Sequence, residues 1–142
     1  DPPAAVANGA TTAARRHKRE ADLTVHATAC TITAQAADLA TIVEELVDNA
    51  CSFSRPGTPI TVRLEAQGRL QVTDQGRGMT PEQIRRIGAF RQFDRKKHEQ
   101  QGLGLGLVLV QKLAARCDAD FSVASEPAGG TTATVVFQPA AP

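Results

Sequence analysis

The chain has no tryptophan and no tyrosine, a single methionine and only three cysteines, and its charges nearly cancel at a net +1. Each shortage closes off a class of explanation. Cys30, Cys51 and Cys117 are odd in number and widely spaced. That fits neither a disulfide framework nor a metal cluster, and points to free, mostly buried thiols in a reducing compartment. A balanced charge argues against a general preference for polyanions. Arg15, Arg16, Lys18 and Arg19 do cluster, but no aromatic residue is interleaved with them. They read as a solvated linker or helix end rather than as a nucleic-acid contact. No apolar run is long enough to span a bilayer, and no signal-peptide pattern is present. The expectation is a cytoplasmic chain with no membrane contact of its own.

What is present is enough for one domain. A length of 142 residues can bury one real core and not two. The first residue is not Met, which suggests a piece of a longer protein. Asp1 to about Ala14 is rich in Ala, Pro, Thr and Gly without a period, and reads as a flexible leader. Leu23, Val25 and Ala27 alternate with polar residues, predicting a half-buried strand over Asp22 to Thr28, with a second short strand at Thr31–Thr33. Leu39, Ile42, Val43, Leu46 and Ala50 form the stripe of a long helix from Ala36 to Phe53, ended by Arg55-Pro56-Gly57-Thr58-Pro59. A hairpin follows, Ile60 to Leu64 and Leu70 to Asp74, turning near Gly68. Thr80-Pro81-Glu82-Gln83 is a capping box that starts a short helix to about Ile87. Gly88 to Gln101 has no clean period but holds Phe90, Phe93 and four consecutive basic or His residues, Arg95 to His98. It reads as a mobile flap pinned by two rings. An almost wholly apolar helix follows over Val108 to Arg116, then strands Asp120 to Ser125 and Thr132 to Gln138.

Three places carry chemistry. Glu45 and Asn49 lie four residues apart, one turn apart on nearly the same helix face. Two oxygen-bearing groups in that arrangement suit a hard cation that keeps several waters, such as Mg²⁺; alone, such a pair is more often an ordinary solvated helix face. Asp74 shares a strand face with Leu70 and Val72, so a carboxylate ends an apolar row. Gly76 and Gly78 follow it and leave a small gap lined by carboxylate and bare backbone, which could admit a flat ligand carrying an amino group. A turn with a satisfied Asp is the plain alternative. Gly102-Leu103-Gly104-Leu105-Gly106 then leads into an apolar helix whose N-terminal N–H groups favour anions. The dinucleotide fingerprint fits poorly, because its third Gly would fall at Leu107 and no strand feeds the loop.

In this order, Glu45-x-x-x-Asn49, Asp74-x-Gly76-x-Gly78-Met79 and Gly102-x-Gly104-x-Gly106 resemble the motifs of the ATP-binding fold shared by DNA gyrase, MutL and bacterial histidine kinases, the Bergerat or GHKL fold. The resemblance runs from about Asp22 to Phe137. It is closest to the catalytic, ATP-binding domain of sensor histidine kinases, whose F box Phe90 to Arg95 is similar to, and whose second glycine box Gly102 to Leu107 is similar to. It implies an α+β fold, a two-layer α/β sandwich whose mixed, mostly antiparallel sheet is covered on one face by about three helices, with a mobile ATP lid. Together with the composition of the two ends, the expected division is a flexible basic leader or linker over 1–19, the ATP-binding kinase domain over 20–138, and a frayed tail or the start of a linker over 139–142. By position, Asn49 and Glu45 would hold Mg²⁺ and Asp74 would accept the adenine amino group. Gly76, Gly78 and Met79 would shape the pocket, Phe53 would pack on the base, and Thr131 would lie near it. Arg95 and Lys96 would meet the phosphates, and Gly102, Leu103, Gly104, Leu105 and Gly106 would let the lid close.

Two departures qualify the resemblance. Many kinases of this kind carry Lys three residues past the Asn; this chain has Ser52. His17, His26 and His98 all lack the helical context of a phospho-accepting segment. The chain is therefore expected to bind Mg·ATP as a monomer and to act on a His of a separate dimerisation domain, which passes phosphate to a response regulator. Alone it would hydrolyse ATP only very slowly. An anti-sigma-type serine kinase, a gyrase- or MutL-like ATPase with Glu45 as general base, and a degenerate interaction domain are the alternatives.

Overall fold

The computed structural model describes residues 1–78, 82, 106–125 and 129–140. Among them are α1 (Pro2–Arg16), β1 (Leu23–Ala27), α2 (Ala36–Phe53), β2 (Ile60–Leu64), β3 (Arg69–Asp74), α3 (Gly106–Arg116), β4 (Asp120–Ser125) and β5 (Thr131–Val136). The sheet order is β1-β2-β3-β5-β4. Only β1 and β2 run parallel, and α2 lies between them in the chain, as a parallel pair requires. The other neighbours are antiparallel.

Side-chain alternation sorts the two faces. Ile60, Val62 and Leu64 of β2, Leu70 and Val72 of β3, and Ala133 and Val135 of β5 are buried against the helices. On the opposite face, polar side chains pair across strands, Gln71 with Thr134 and Thr73 with Thr132. The core is continuous from this sheet to Leu39, Ile42, Val43, Leu46 and Val47 of α2 and Leu107, Val110 and Leu113 of α3. The expected two-layer architecture is thus the observed one. Among the described residues, no helix is long and apolar enough to cross a membrane.

The first correction concerns the N-terminus. Residues 2–16 are not an aperiodic leader but a helix. Asp1 caps it, its Oδ1 accepting from Ala4 N at 2.9 Å, and Pro2 and Pro3 occupy positions where a missing N–H costs nothing. Its buried side is Ala5, Val6, Gly9, Ala10, Ala13 and Ala14, a helical stripe of small residues. Small size allows close approach to α2: a Cβ on Gly9 would stand 2.4 Å from the Ala40 carbonyl oxygen. A low-complexity composition concealed a helix–helix seam.

The second correction is Arg19, which is no solvated linker residue. It is 3% exposed and commits all its donors. Nε meets Asp22 Oδ2 at 2.5 Å; Nη1 donates to the Cys51 and Ser54 carbonyls, and Nη2 to Ser54 Oγ and the Thr58 carbonyl. The carbonyls at the end of α2, which have no partner within the helix, are capped by this guanidinium. Asp22 Oδ2 also accepts from Gly57 N at 2.9 Å. That N–H, followed by Arg19, pulls the Asp22 carboxyl below its ordinary range.

Three smaller differences follow. The expected strand at Thr31–Thr33 is a single antiparallel bridge, Ile32 with Pro139, flanked by Thr33 N to Gln138 O and Ala140 N to Thr31 O. Pro139 and Ala140 are therefore pinned rather than a frayed tail. The last helix begins at Gly106, and its apolar surface is not buried all round, since Leu109 is 38% exposed. The capping-box helix and the flap from Gly88 to Gln101 lie outside the described residues, Glu82 apart.

Candidate functional site

Two i,i+4 rows on α2 do different work. Glu44 and Asp48 face α1: Arg16 pairs with both, and His17 Nε2 lies 2.5 Å from Asp48 Oδ1. One residue on, a rotation of about 100° around the helix, Glu45 and Asn49 are half-buried and their side chains take part in no hydrogen bond among the described residues. The first row fastens the helix and the second is left available. Burial, then the neighbouring carboxylates Asp48 and Glu44, raise the Glu45 carboxyl above its ordinary range, with Arg16 opposing.

Could this pair hold a divalent ion? Among the described residues no group of three or more His, Cys, Asp or Glu side chains can do so. Glu45 and Asn49 supply two oxygen-bearing side chains, at most three donor atoms. That fits Mg²⁺, which keeps waters and is usually completed by substrate phosphates, and does not fit an all-protein cage.

Asp74 closes β3 at 4% exposure. Its Oδ1 accepts from Gly76 N at 2.8 Å, and the Thr131 amide, directly opposite in the β3–β5 ladder, also serves the carboxylate. Burial outweighs these donors and raises the carboxyl above its ordinary range. A carboxylate offers about four acceptor sites, so two remain for a ligand. The surrounding backbone leaves no room for side chains. A Cβ at Gly76 would lie 2.0 Å from the Phe53 carbonyl oxygen, and one at Gly130 2.4 Å from the Asp74 carbonyl oxygen. Gly130 also has φ +80°, which favours glycine. Gly78, at φ +72°, is buried.

The structure therefore brings Asp74, Gly76, Phe53 and Thr131 together where the end of α2 meets the turn after β3. Glu45 and Asn49 lie on the same helix as Phe53, about two turns and one turn earlier respectively. Gly106 is the first residue of α3. Met79, Arg95, Lys96, Gly102, Leu103, Gly104 and Leu105 lie outside the described residues.

Sequence reasoning missed two supports. Ser125 Oγ lies 2.8 Å from both Thr131 Oγ1 and the Gly130 carbonyl oxygen, fixing the turn beside Asp74. Arg77 donates its backbone N–H to the Phe53 carbonyl at 3.1 Å and stacks its guanidinium 4.5 Å from the Phe53 ring centre. A strand-end Ser facing a Gly-Gly turn signals the first weakly; nothing local in sequence signals the second.

Comparison with known proteins identifies the family and the fold. Residues 34–141 match the family model described as histidine kinase-, DNA gyrase B- and HSP90-like ATPase. The sensor-like histidine kinase SenX3 of Mycobacterium tuberculosis is 33% identical over 106 residues, covering 70% of this chain and 25% of that protein. The sensor protein QseC of Escherichia coli is 34% identical over 122 residues, covering 86% and 27%. The chain thus spans about a quarter of the length of these relatives. Among solved structures, the mycobacterial sensor histidine kinase MprB superposes with a TM-score of 0.64 at 26% identity, over 93% of this chain and 94% of that one. Full-length ShkA in complex with AMPPNP gives 0.70 at 26% identity, over 100% and 31%. The chain belongs to the histidine kinase-, DNA gyrase B- and HSP90-like ATPase family, as an ATP-binding catalytic domain of the sensor histidine kinase kind.

Proposed function

We propose that this domain binds Mg·ATP and presents the γ-phosphate to a histidine of a separate dimerisation domain, from which a response regulator is phosphorylated. The observation that carries the reading is Asp74: a buried carboxylate with spare acceptor capacity, walled by glycine backbone and by the helix that bears an uncommitted Glu45 and Asn49.

In this reading the adenine amino group donates to Asp74, Gly76, Gly78 and Met79 shape the pocket, Phe53 packs on the base, and Thr131 lies beside it. Asn49 and Glu45 hold Mg²⁺, which would neutralise phosphate charge during transfer. Arg95 and Lys96 approach the phosphates, and the Gly102 to Gly106 run lets the lid close. Catalysis is then mostly positioning and charge neutralisation, and the group that assists the attacking histidine belongs to the other domain. Alone, the chain is a cytoplasmic monomer that binds nucleotide and turns it over very slowly.

The raised proton affinity of Glu45 favours one second reading, in which Glu45 is a general base that activates water for hydrolysis. Incubation with γ-labelled ATP and the dimerisation domain of the parent protein separates the two. Transfer to histidine gives an acid-labile, Asn49-dependent phosphoprotein. Rapid release of inorganic phosphate, abolished by Glu45→Gln, supports hydrolysis, and an acid-stable phosphoserine contradicts both.

A further inference from the structure

Beside Phe53, where α2 ends, a cavity of about 460 Å³ opens between the helix terminus and the turn after β3. Its size is that of a small-ligand site. Three hydroxyls line it, but their hydrogens are spent on main-chain carbonyls: Ser52 Oγ on Asp48, Ser54 Oγ on Ala50, and Thr58 Oγ1 on Arg55. The backbone N–H groups of Gly76 and Arg77 are spent too, on Asp74 and Phe53. The donors left over are the Gln75 amide and the guanidiniums of Arg55 and Arg77. Among the described residues no carboxylate lines the cavity and neither guanidinium has an acidic partner.

Two guanidinium-bearing side chains lining one cavity make it electropositive, and an anion bound there would meet both charges. Arg77 is also pre-oriented. Its guanidinium carbon stands over the Phe53 ring, 4.5 Å from the centre, a contact that restrains the side chain. Among the described residues none of its side-chain N–H groups is committed, so it can still make the bidentate contact a guanidinium offers phosphate. The cavity is not remote from the proposed base pocket. Gly76 stands between them, close enough that one added carbon would meet both the Phe53 carbonyl oxygen and Asp74 Oδ1, at 2.0 and 2.8 Å.

We propose that Arg77, assisted by Arg55, is a phosphate-binding residue of the nucleotide site. This rests on the nucleotide reading above and extends it, since the cation comes from the turn after β3. Ser52, on the same wall, contributes neither charge nor a free hydrogen.

The test is calorimetric titration of wild type, Arg77→Ala, Arg77→Ala/Ser52→Lys and Asp74→Asn with adenosine, ADP and a non-hydrolysable ATP analogue, in Mg²⁺. Loss of one charge-assisted contact in Arg77→Ala weakens ADP and the ATP analogue about tenfold and leaves adenosine unchanged. A lysine at position 52, opening onto the same cavity, restores part of the loss. Equal weakening of adenosine, meaning that Arg77 serves the base or Phe53 alone, overturns the proposal, as does no change with any ligand. Inorganic phosphate that binds alongside a saturating ATP analogue overturns it as well, by showing an anion site separate from the nucleotide. Wild-type protein that binds none of the nucleotides overturns the nucleotide reading itself. Wild type that binds them, with Asp74→Asn weakened and Arg77→Ala indistinguishable, overturns the Arg77 assignment alone.

Discussion

At the scale of single residues, Asp74 carries a cost that the free domain bears without ligand. Its folded carboxyl lies above its ordinary range because burial disfavours the charge. The sign follows from linkage. The native state holds this proton more tightly than the unfolded chain, so the contribution to stability is fully present below the ordinary carboxylate range. It is lost as pH rises through the raised folded value. Thermal melts across the acidic range should therefore show the wild type losing ground to Asp74→Asn as pH climbs above about 4. A difference between the two proteins that is flat with pH would contradict this. Gly76 offers a complementary test. With a Cβ placed 2.0 Å from a backbone oxygen, Gly76→Ala must displace the end of α2 or the turn, and overpacking of this kind costs about 1–3 kcal/mol. Urea unfolding should report that loss, and nucleotide binding should suffer more than stability does. Asp74 was legible from sequence because strand alternation places it in register with Leu70 and Val72. Arg77 was not, because its contact with Phe53 joins two segments whose proximity only the folded sheet creates.

At the scale of elements, the helices and strands with a strong apolar period were legible nearly to the residue. Ala36–Phe53 and Ile60–Leu64 have the expected bounds. α1 was missed because its buried stripe is Ala and Gly, which carry helical spacing without hydrophobic contrast. Arg19 was missed because a charged residue in a basic run reads as solvated, and its partners are carbonyls 32 or more residues away. Both errors conceal the same device: α1 and the segment after it hold α2 along its length, Glu44 and Asp48 through Arg16 and His17, and the C-terminus through Arg19. Arg19→Met should cost about 3 kcal/mol in urea unfolding, since it strands Asp22 and several carbonyls without their donor. Gly9→Val should also destabilise, through the 2.4 Å approach to Ala40, and by more than Gly9→Ala. Equal stabilities for Gly, Ala and Val at position 9 would mean the seam is not tight.

At the scale of the whole molecule, the proposed nucleotide site divides between a pinned helix, α2, and the end of β3. Core residues of α2 run beneath Glu45 and Asn49, so the proposed metal pair sits on the best-anchored element of the chain. The chain has its own candidate base pocket and cation cavity, but neither His17 nor His26 is placed as an acceptor: His17 is engaged by Asp48, and His26 lies exposed on β1. In the proposed function the accepting histidine belongs to another domain. The most direct measurement is calorimetric titration with a non-hydrolysable ATP analogue, with and without Mg²⁺, on wild type and Asp74→Asn. The account predicts Mg²⁺-dependent binding by the wild type that the substitution weakens at least tenfold, the scale of one lost hydrogen bond to a charged group. Absence of binding, or binding that neither Mg²⁺ nor the substitution changes, would contradict it.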